Sequence, residues 1–167
     1  IGRITQKSPG VSENGSVYNH AAIFYGYALF EYGKTCQSSV DRGFDVFRRM
    51  LATPEQMRDQ LPNFVPNYYR GAYHQYPEYA GRSSHLFNTG TISWLLRCVY
   101  EHICGFNGTA TGVCFEPKIP SHWQNFDFQI TYRGAEFDVT LKRNDKVAKQ
   151  ETYCNGVRLE DNCLSNL

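Results

Sequence analysis

The sequence predicts a helical first part followed by a small antiparallel β part, with the change at about residue 112. Two periodicities and one turn signal predict it. Apolar residues recur at helical three- and four-residue spacing in the first two thirds, and alternate with polar ones after Gly112. Asn155-Gly156, between Thr152-Tyr153-Cys154 and Val157-Arg158-Leu159, is a pair suited to a hairpin turn. The expected domains are therefore 1–112 and 113–167.

Each element has its own justification. From His20 to Glu31, Ala21, Ala22, Phe24, Tyr25, Ala28, Leu29 and Phe30 cover most of a helical circumference, so this helix is expected to be buried on several sides. Gly33 then stops it. A second helix is expected from about Val40 to Leu51, ending before Thr53-Pro54 because proline disfavours a helical residue ahead of it. The Tyr-, Pro- and Gly-rich stretch from Phe64 to Arg82 is too punctuated for a long helix and too aromatic for a linker. A third helix runs from about Thr89 or Thr91 to Cys104, closed by Gly105. Phe126, Phe128, Ile130 and Tyr132, then Phe137, Val139 and Leu141, predict a hairpin with one buried face across Arg133-Gly134.

Composition narrows the function classes. With 17 Lys+Arg against 16 Asp+Glu, the formal charge is +1, which leaves no field to gather nucleic acid. Aromatic residues make up 15% of the chain, too many for a disordered segment. No apolar run approaches the roughly 18 residues that span a bilayer, so no membrane partner is expected. The start Ile1-Gly2-Arg3 reads as an internal one, and a C-terminal piece of something longer is expected. Six cysteines, at positions 36, 98, 104, 114, 154 and 163, form no CxxC pair. Neither a metal site nor a cofactor is expected, and free buried thiols in a reducing compartment are expected over disulfides.

Two segments carry chemistry. The stretch Ser8 to His20 sets Glu13, Asn14, Asn19 and His20 ahead of a helix, where an imidazole and free backbone N–H groups can hold an anion. Asn88-Thr89-Gly90-Thr91 again puts hydroxyls and a glycine at a helix start, where backbone can approach an oxyanion closely. Each segment has a plainer reading, an ordinary helix cap. Between them, Asn67, Tyr68, Tyr69, Tyr73 and Tyr76 can supply amides and ring faces to a sugar, or pack as loop and partial core.

Several strings, taken in order, resemble the C-terminal part of glycoside hydrolase family 94, the inverting β-glycan phosphorylases. They are Gly2-Arg3-Ile4-Thr5-Gln6; Pro9-Gly10-Val11 with Glu13-Asn14-Gly15 and His20; Asn88-Thr89-Gly90-Thr91 with Trp94; Glu116-Pro117-Lys118-Ile119-Pro120-Ser121-His122-Trp123; and Tyr132-Arg133-Gly134-Ala135. Pro66-Asn67-Tyr68-Tyr69-Arg70-Gly71-Ala72-Tyr73 and Ala80-Gly81-Arg82-Ser83-Ser84 with Leu86-Phe87-Asn88-Thr89-Gly90-Thr91 look most like cellodextrin phosphorylases.

The resemblance implies the last helices of an (α/α)6 barrel followed by a small antiparallel C-terminal β domain. It implies phosphate-binding roles for His20, Thr89 and Gly90, and substrate-binding roles for Glu13 and Asn67. It assigns no catalytic residue within the chain: the general acid is an aspartate expected upstream, and Asp41, Asp45 and Asp59 do not replace it. Ser12 stands where cellobiose-specific relatives tend to carry lysine, which leaves the acceptor open. The implied reaction is reversible phosphorolysis of a cellodextrin to glucose 1-phosphate, with cellobiose, β-1,2 or β-1,3 glucosides, or a non-catalytic carbohydrate-binding fragment, as alternatives. The implied partners are an oligosaccharide and inorganic phosphate as substrates, in a cytoplasmic homodimer of the complete enzyme.

Overall fold

The structure, a computed structural model, describes residues 2–51, 65–82, 90–147 and 149–165. They group into two compact units, Ile1–Leu29 with Arg42–Leu96 and Phe30–Asp41 with Arg97–Leu167. The chain is thus a mixture of helices and small antiparallel sheets. No helix among the described residues is long and apolar enough to cross a membrane.

The first unit holds most of helices α1 (Asn19–Tyr32), α2 (Gln37–Met50) and α3 (Gly90–Arg97). It also holds a two-stranded ladder of β1 (Val17–Tyr18) and β2 (Tyr68–Tyr69), in register Val17↔Tyr69 and Tyr18↔Tyr68. Gly26 lets α1 approach α2: a Cβ there would already stand 3.4 Å from Val46 Cγ1. Along α2, Val40, Phe47 and Met50 form the buried stripe of an amphipathic helix, with Arg48 and Arg49 paired to Asp45 on the outside. The burial expected on several sides of α1 is only partly met. Ile23 and Phe30 are fully buried, but Phe24, Tyr25 and Tyr32 stay 44%, 49% and 66% exposed among the described residues.

The expected third helix is α-helical only as far as Arg97. From Cys98 to Ile103 it widens into a π-helical stretch, in which the Cys104 N–H reaches the Val99 carbonyl at 2.8 Å. Longer i→i+5 turns carry Cys98 and Ile103 to the same buried side, along with His102.

The second unit is the β part. Strands β3 (Phe106–Gly108), β4 (Gly112–Phe115) and β9 (Cys163–Ser165) form one antiparallel sheet, ordered β3-β4-β9. Within this unit strand pairing therefore begins at Phe106, ahead of the change of period at residue 112. Strands β5 (Asn125–Tyr132) and β6 (Ala135–Lys142) form the long hairpin in the expected phase, with Phe128 opposite Val139 and Ile130 opposite Phe137. Its inner face packs on a core of Cys104, Phe106, Val113 and Phe115. Strands β7 (Tyr153–Cys154) and β8 (Val157–Arg158) form the second expected hairpin, with Asn155 and Gly156 at φ 48° and 82° as its turn.

The cysteines require a correction. Cys114 and Cys163 face one another across β4 and β9 and are joined in a disulfide that closes a 49-residue separation. Register makes this possible, and a one-dimensional spacing does not reveal it. Cys98 and Cys104 are buried free thiols, pushed up by burial to about 12 and about 11, which leaves them inert at neutral pH.

Candidate functional site

The site candidates lie in the first unit, and its loops owe their shape to backbone contacts. Residues 8–16 wrap on themselves: Gly10 N–H donates to the Asn14 carbonyl at 2.7 Å, and Asn14 Nδ2 donates back to the Lys7 carbonyl at 2.8 Å. Ser12 is held at φ 48°, in the left-handed region that a non-glycine residue occupies only when its surroundings impose it. The wrapped loop is pinned to the aromatic stretch where Gly71 N–H meets the Gly10 carbonyl at 3.0 Å. A Cβ on Gly71 would fall 2.0 Å from the Gly15 carbonyl oxygen, so only glycine fits.

That pinning sets β1 beside β2 and delivers the chain into α1 with Asn19 and His20 in its first turn. Asn19, 1% exposed, faces inward: its N–H donates to the Asn67 carbonyl at 2.9 Å and its Nδ2 to the Pro66 carbonyl at 2.7 Å. Asn67, 4% exposed, turns its side-chain oxygen the other way, accepting from Thr91 Oγ at 2.9 Å in the first turn of α3. Residues 66–67 thereby bridge the starts of the two helices.

On top of the bridge lies His20. Its Nδ1 stands 3.3 Å from the Tyr18 hydroxyl, and Tyr18 stacks on Tyr68 at 4.7 Å. Its ring lies 4.7 Å from Phe24, which meets Trp94 of α3 edge-on at 4.7 Å. Its Nε2 is directed at α3, since a Cβ on Gly90 would stand only 2.5 Å from it. Two of the expected phosphate ligands, His20 and Gly90, are thus brought together at two facing helix starts, where free N–H groups and aligned peptide dipoles favour an anion. The third, Thr89, lies outside the described residues.

The substrate-binding candidates are placed differently. Glu13 is exposed on the wrapped loop and accepts a hydrogen bond from Lys7 Nζ, which holds its carboxyl below the ordinary carboxylate value. Asn67 is interior and spends its side-chain oxygen on Thr91. Of the tyrosines, Tyr68 and Tyr69 are half-buried in β2 while Tyr73 and Tyr76 are exposed, at 57% and 45%. Asp41 is not part of this group. It belongs to the second unit, where its Oδ1 accepts from the Ser121 N–H at 2.6 Å.

Sequence reasoning had Asn19 as a possible helix cap and gave Tyr18 and Thr91 no role of their own. Asn19 and Thr91 meet partners tens of residues away, and Tyr18, although it reaches His20 two residues on, is held by its stack on Tyr68, so no local pattern signals them. The strings that carried the resemblance do contain the neighbours on which they act, His20 and Gly90.

Comparison with known proteins bears on the family. A family model described as "Glycosyl hydrolase family 65, C-terminal domain" matches residues 109–152, which contain β4, β5 and β6. The chain is 44% identical over 160 residues to a cellobionic acid phosphorylase of Neurospora crassa, covering 93% of this chain and 20% of that protein. It is 36% identical over 142 residues to a 3-O-beta-D-glucopyranosyl-beta-D-glucuronide phosphorylase of Paenibacillus borealis, covering 83% of this chain and 18% of that one. An N,N'-diacetylchitobiose phosphorylase of Vibrio proteolyticus is 28% identical over 155 residues, 89% of this chain and 18% of its own. The chain spans about a fifth of the length of these relatives. Together with the ordered strings of the sequence, these matches place the chain with the C-terminal part of phosphorylases of the glycoside hydrolase family 94 type.

Proposed function

We propose that this chain supplies the phosphate side of an inverting β-glycoside phosphorylase. The observation that carries the reading is the approach of His20 Nε2 to Gly90 at two facing helix starts. In the reaction, a phosphate oxygen forms a bond to the anomeric carbon while the glycosidic C–O bond breaks. The leaving oxygen takes a proton from an acid, which the family pattern assigns to an aspartate upstream of Ile1. An inverting hydrolase needs a second carboxylate to activate water; phosphate arrives already charged and nucleophilic, so donors that fix it behind the anomeric carbon take that carboxylate's place. His20, Thr89 and Gly90 are those donors, and no cofactor is involved. Glu13 and Asn67 serve the sugar side, Glu13 as a direct contact from its exposed loop. The helices belong to the end of an (α/α)6 barrel, in a cytoplasmic homodimer.

The motifs of residues 66–73 and 80–84 favour a cellodextrin as the glucosyl donor. A second reading is favoured by the two relatives above 30% identity, both of which are named for a sugar that bears a carboxylate. Arg3 and Lys7 put cationic charge beside Glu13 in the wrapped loop, which suits such an acceptor. We take the acidic acceptor as the better supported of the two. The complete enzyme, given phosphate and either cellobionate or cellotetraose, should release glucose 1-phosphate faster from cellobionate. Faster release from cellotetraose would restore the cellodextrin reading. No release from any β-glucoside, with the upstream aspartate present, would remove the phosphorylase reading itself.

A further inference from the structure

We infer that Tyr18, Asn67 and Thr91 are positioning residues that present the His20 imidazole, Nε2–H outward, to an oxyanion lying against Gly90. The inference rests on the phosphate-side reading above and adds to it how the imidazole is made a donor.

A neutral imidazole carries one proton, and the partner of one ring nitrogen decides which nitrogen holds it. Here the partner of Nδ1 is the Tyr18 hydroxyl, at 3.3 Å. With the phenol donating its O–H to Nδ1, the ring proton sits on Nε2, the nitrogen that faces Gly90. The opposite arrangement, with Nδ1–H donating to the phenol oxygen, would turn a bare Nε2 lone pair toward the anion and repel it. Tyr18 is itself fixed by its stack on Tyr68, with ring planes 14° apart, and by the β1–β2 register.

The distance between the donor and Gly90 is set by the buried bridge beneath. Each helix start sends one residue into it, Asn19 from α1 and Thr91 from α3. In each case the neighbouring residue in the chain is the one that faces the site: His20 follows Asn19, and Gly90 precedes Thr91. Asn67 engages both, through its backbone carbonyl to Asn19 and its side-chain oxygen to Thr91. Without the Thr91 hydroxyl, the Asn67 oxygen loses this tie to α3, and the two helix starts lose a direct link.

The test uses the complete enzyme and inorganic phosphate. Tyr18→Phe keeps the ring and its stack but removes the hydroxyl. It should raise the KM for phosphate about tenfold, the worth of one hydrogen bond of this kind, leave the KM for the glucoside within about twofold, and alter the pH profile of phosphate use. Thr91→Val should act in the same direction, with Thr91→Ser restoring phosphate binding. Wild-type phosphate KM and pH profile in Tyr18→Phe would overturn the inference. So would a Thr91→Val enzyme that melts earlier yet uses phosphate normally, since that is what a purely structural threonine would give. Should Thr91→Val not fold, Tyr18→Phe and Thr91→Ser still decide. His20→Ala separates the two levels. If it raises the phosphate KM while Tyr18→Phe does not, only the positioning role falls; if it leaves phosphate use unchanged, the phosphate-side reading and this inference fall together.

Discussion

Each of the two units of this chain is held together internally by its own kind of contact. In the second, apolar side chains on alternating strand positions close over Phe106, Val113 and Phe115, and a disulfide ties the last strand to the sheet. In the first, the site is shaped by backbone: a loop wrapped around Gly10, a glycine that only just clears a neighbouring carbonyl, and a buried polar bridge from Asn19 to Thr91. An apolar core tolerates modest repacking at a graded cost in stability. A polar bridge at a site tolerates little displacement, and its failure appears in binding before it appears in melting.

The largest expected effect breaks the second unit and leaves the chemistry alone. Phe106 touches Phe115, Tyr132 and Phe137 edge-on, at 5.5, 5.3 and 5.6 Å. Phe106→Ala should lower stability by about 3–5 kcal/mol through lost burial and the cavity left behind. Denaturant unfolding of the complete enzyme should show an early transition for this region, with phosphate KM unchanged at low temperature. A small loss, below about 1 kcal/mol, would mean that the β core is not organised around this ring. Next in size is the Cys114–Cys163 bond. Replacing both cysteines with serine should cost about 2–4 kcal/mol, since the link restricts a long loop in the unfolded chain. Identical melting with and without reductant would show that these cysteines stay as thiols.

The sharpest probe of the first unit is Gly90→Ala. The added methyl would be driven into the His20 ring, so phosphate binding should weaken about 100-fold, comparable to losing a donor at an oxyanion site, with little change in melting. Phosphate kinetics in that variant within about threefold of wild type, a change too small for a lost donor, would show that the site has room and that the imidazole does not face an anion there.

The same contrast explains what the sequence discloses. The β5–β6 hairpin was legible because the phase of Phe126, Phe128, Ile130 and Tyr132 is a local property and the buried face follows from it. The turn at Asn155-Gly156 was legible for the same reason. The pairing of Cys114 with Cys163 was not, because it depends on a strand register formed 49 residues apart. Within the site, His20 and Gly90 were legible only through family strings; from spacing alone each is as well explained as a cap. Thr91 acts through Asn67 and Tyr18 is fixed by Tyr68, partners that tertiary structure supplies, and composition says nothing of them. The π-helical stretch was missed as well, since a helical pattern with Cys98, His102 and Ile103 does not announce the wider turn that buries all three.

His102 offers the last and smallest test, and it lies in a buried polar cluster of the second unit. Its ring is 1% exposed and stacked on Phe30 at 5.4 Å. Lys118 Nζ donates to its Nδ1 at 3.0 Å, and Glu31 Oε1 stands 3.6 Å from its Nε2. Burial first, and then the Lys118 charge, bring its pKa down to about 4; Lys34 acts the same way, while Glu31 and Glu101 oppose it. The folded state therefore resists protonating this imidazole, whereas the unfolded chain takes a proton near the ordinary value of 6.5. Between those two values the unfolded state holds more protons, so stability is full above pH 6.5 and is lost progressively as the pH falls toward 4. By pH 5 the loss should be about 2 kcal/mol. Glu31, held below its ordinary value first by the Lys34 hydrogen bond, gives way only at still lower pH. His102→Gln, which cannot titrate, should flatten the slope between pH 6.5 and 4 while leaving phosphate KM untouched. An unchanged slope would assign the acid sensitivity to other groups and leave the Glu31–His102–Lys118 cluster a matter of packing alone.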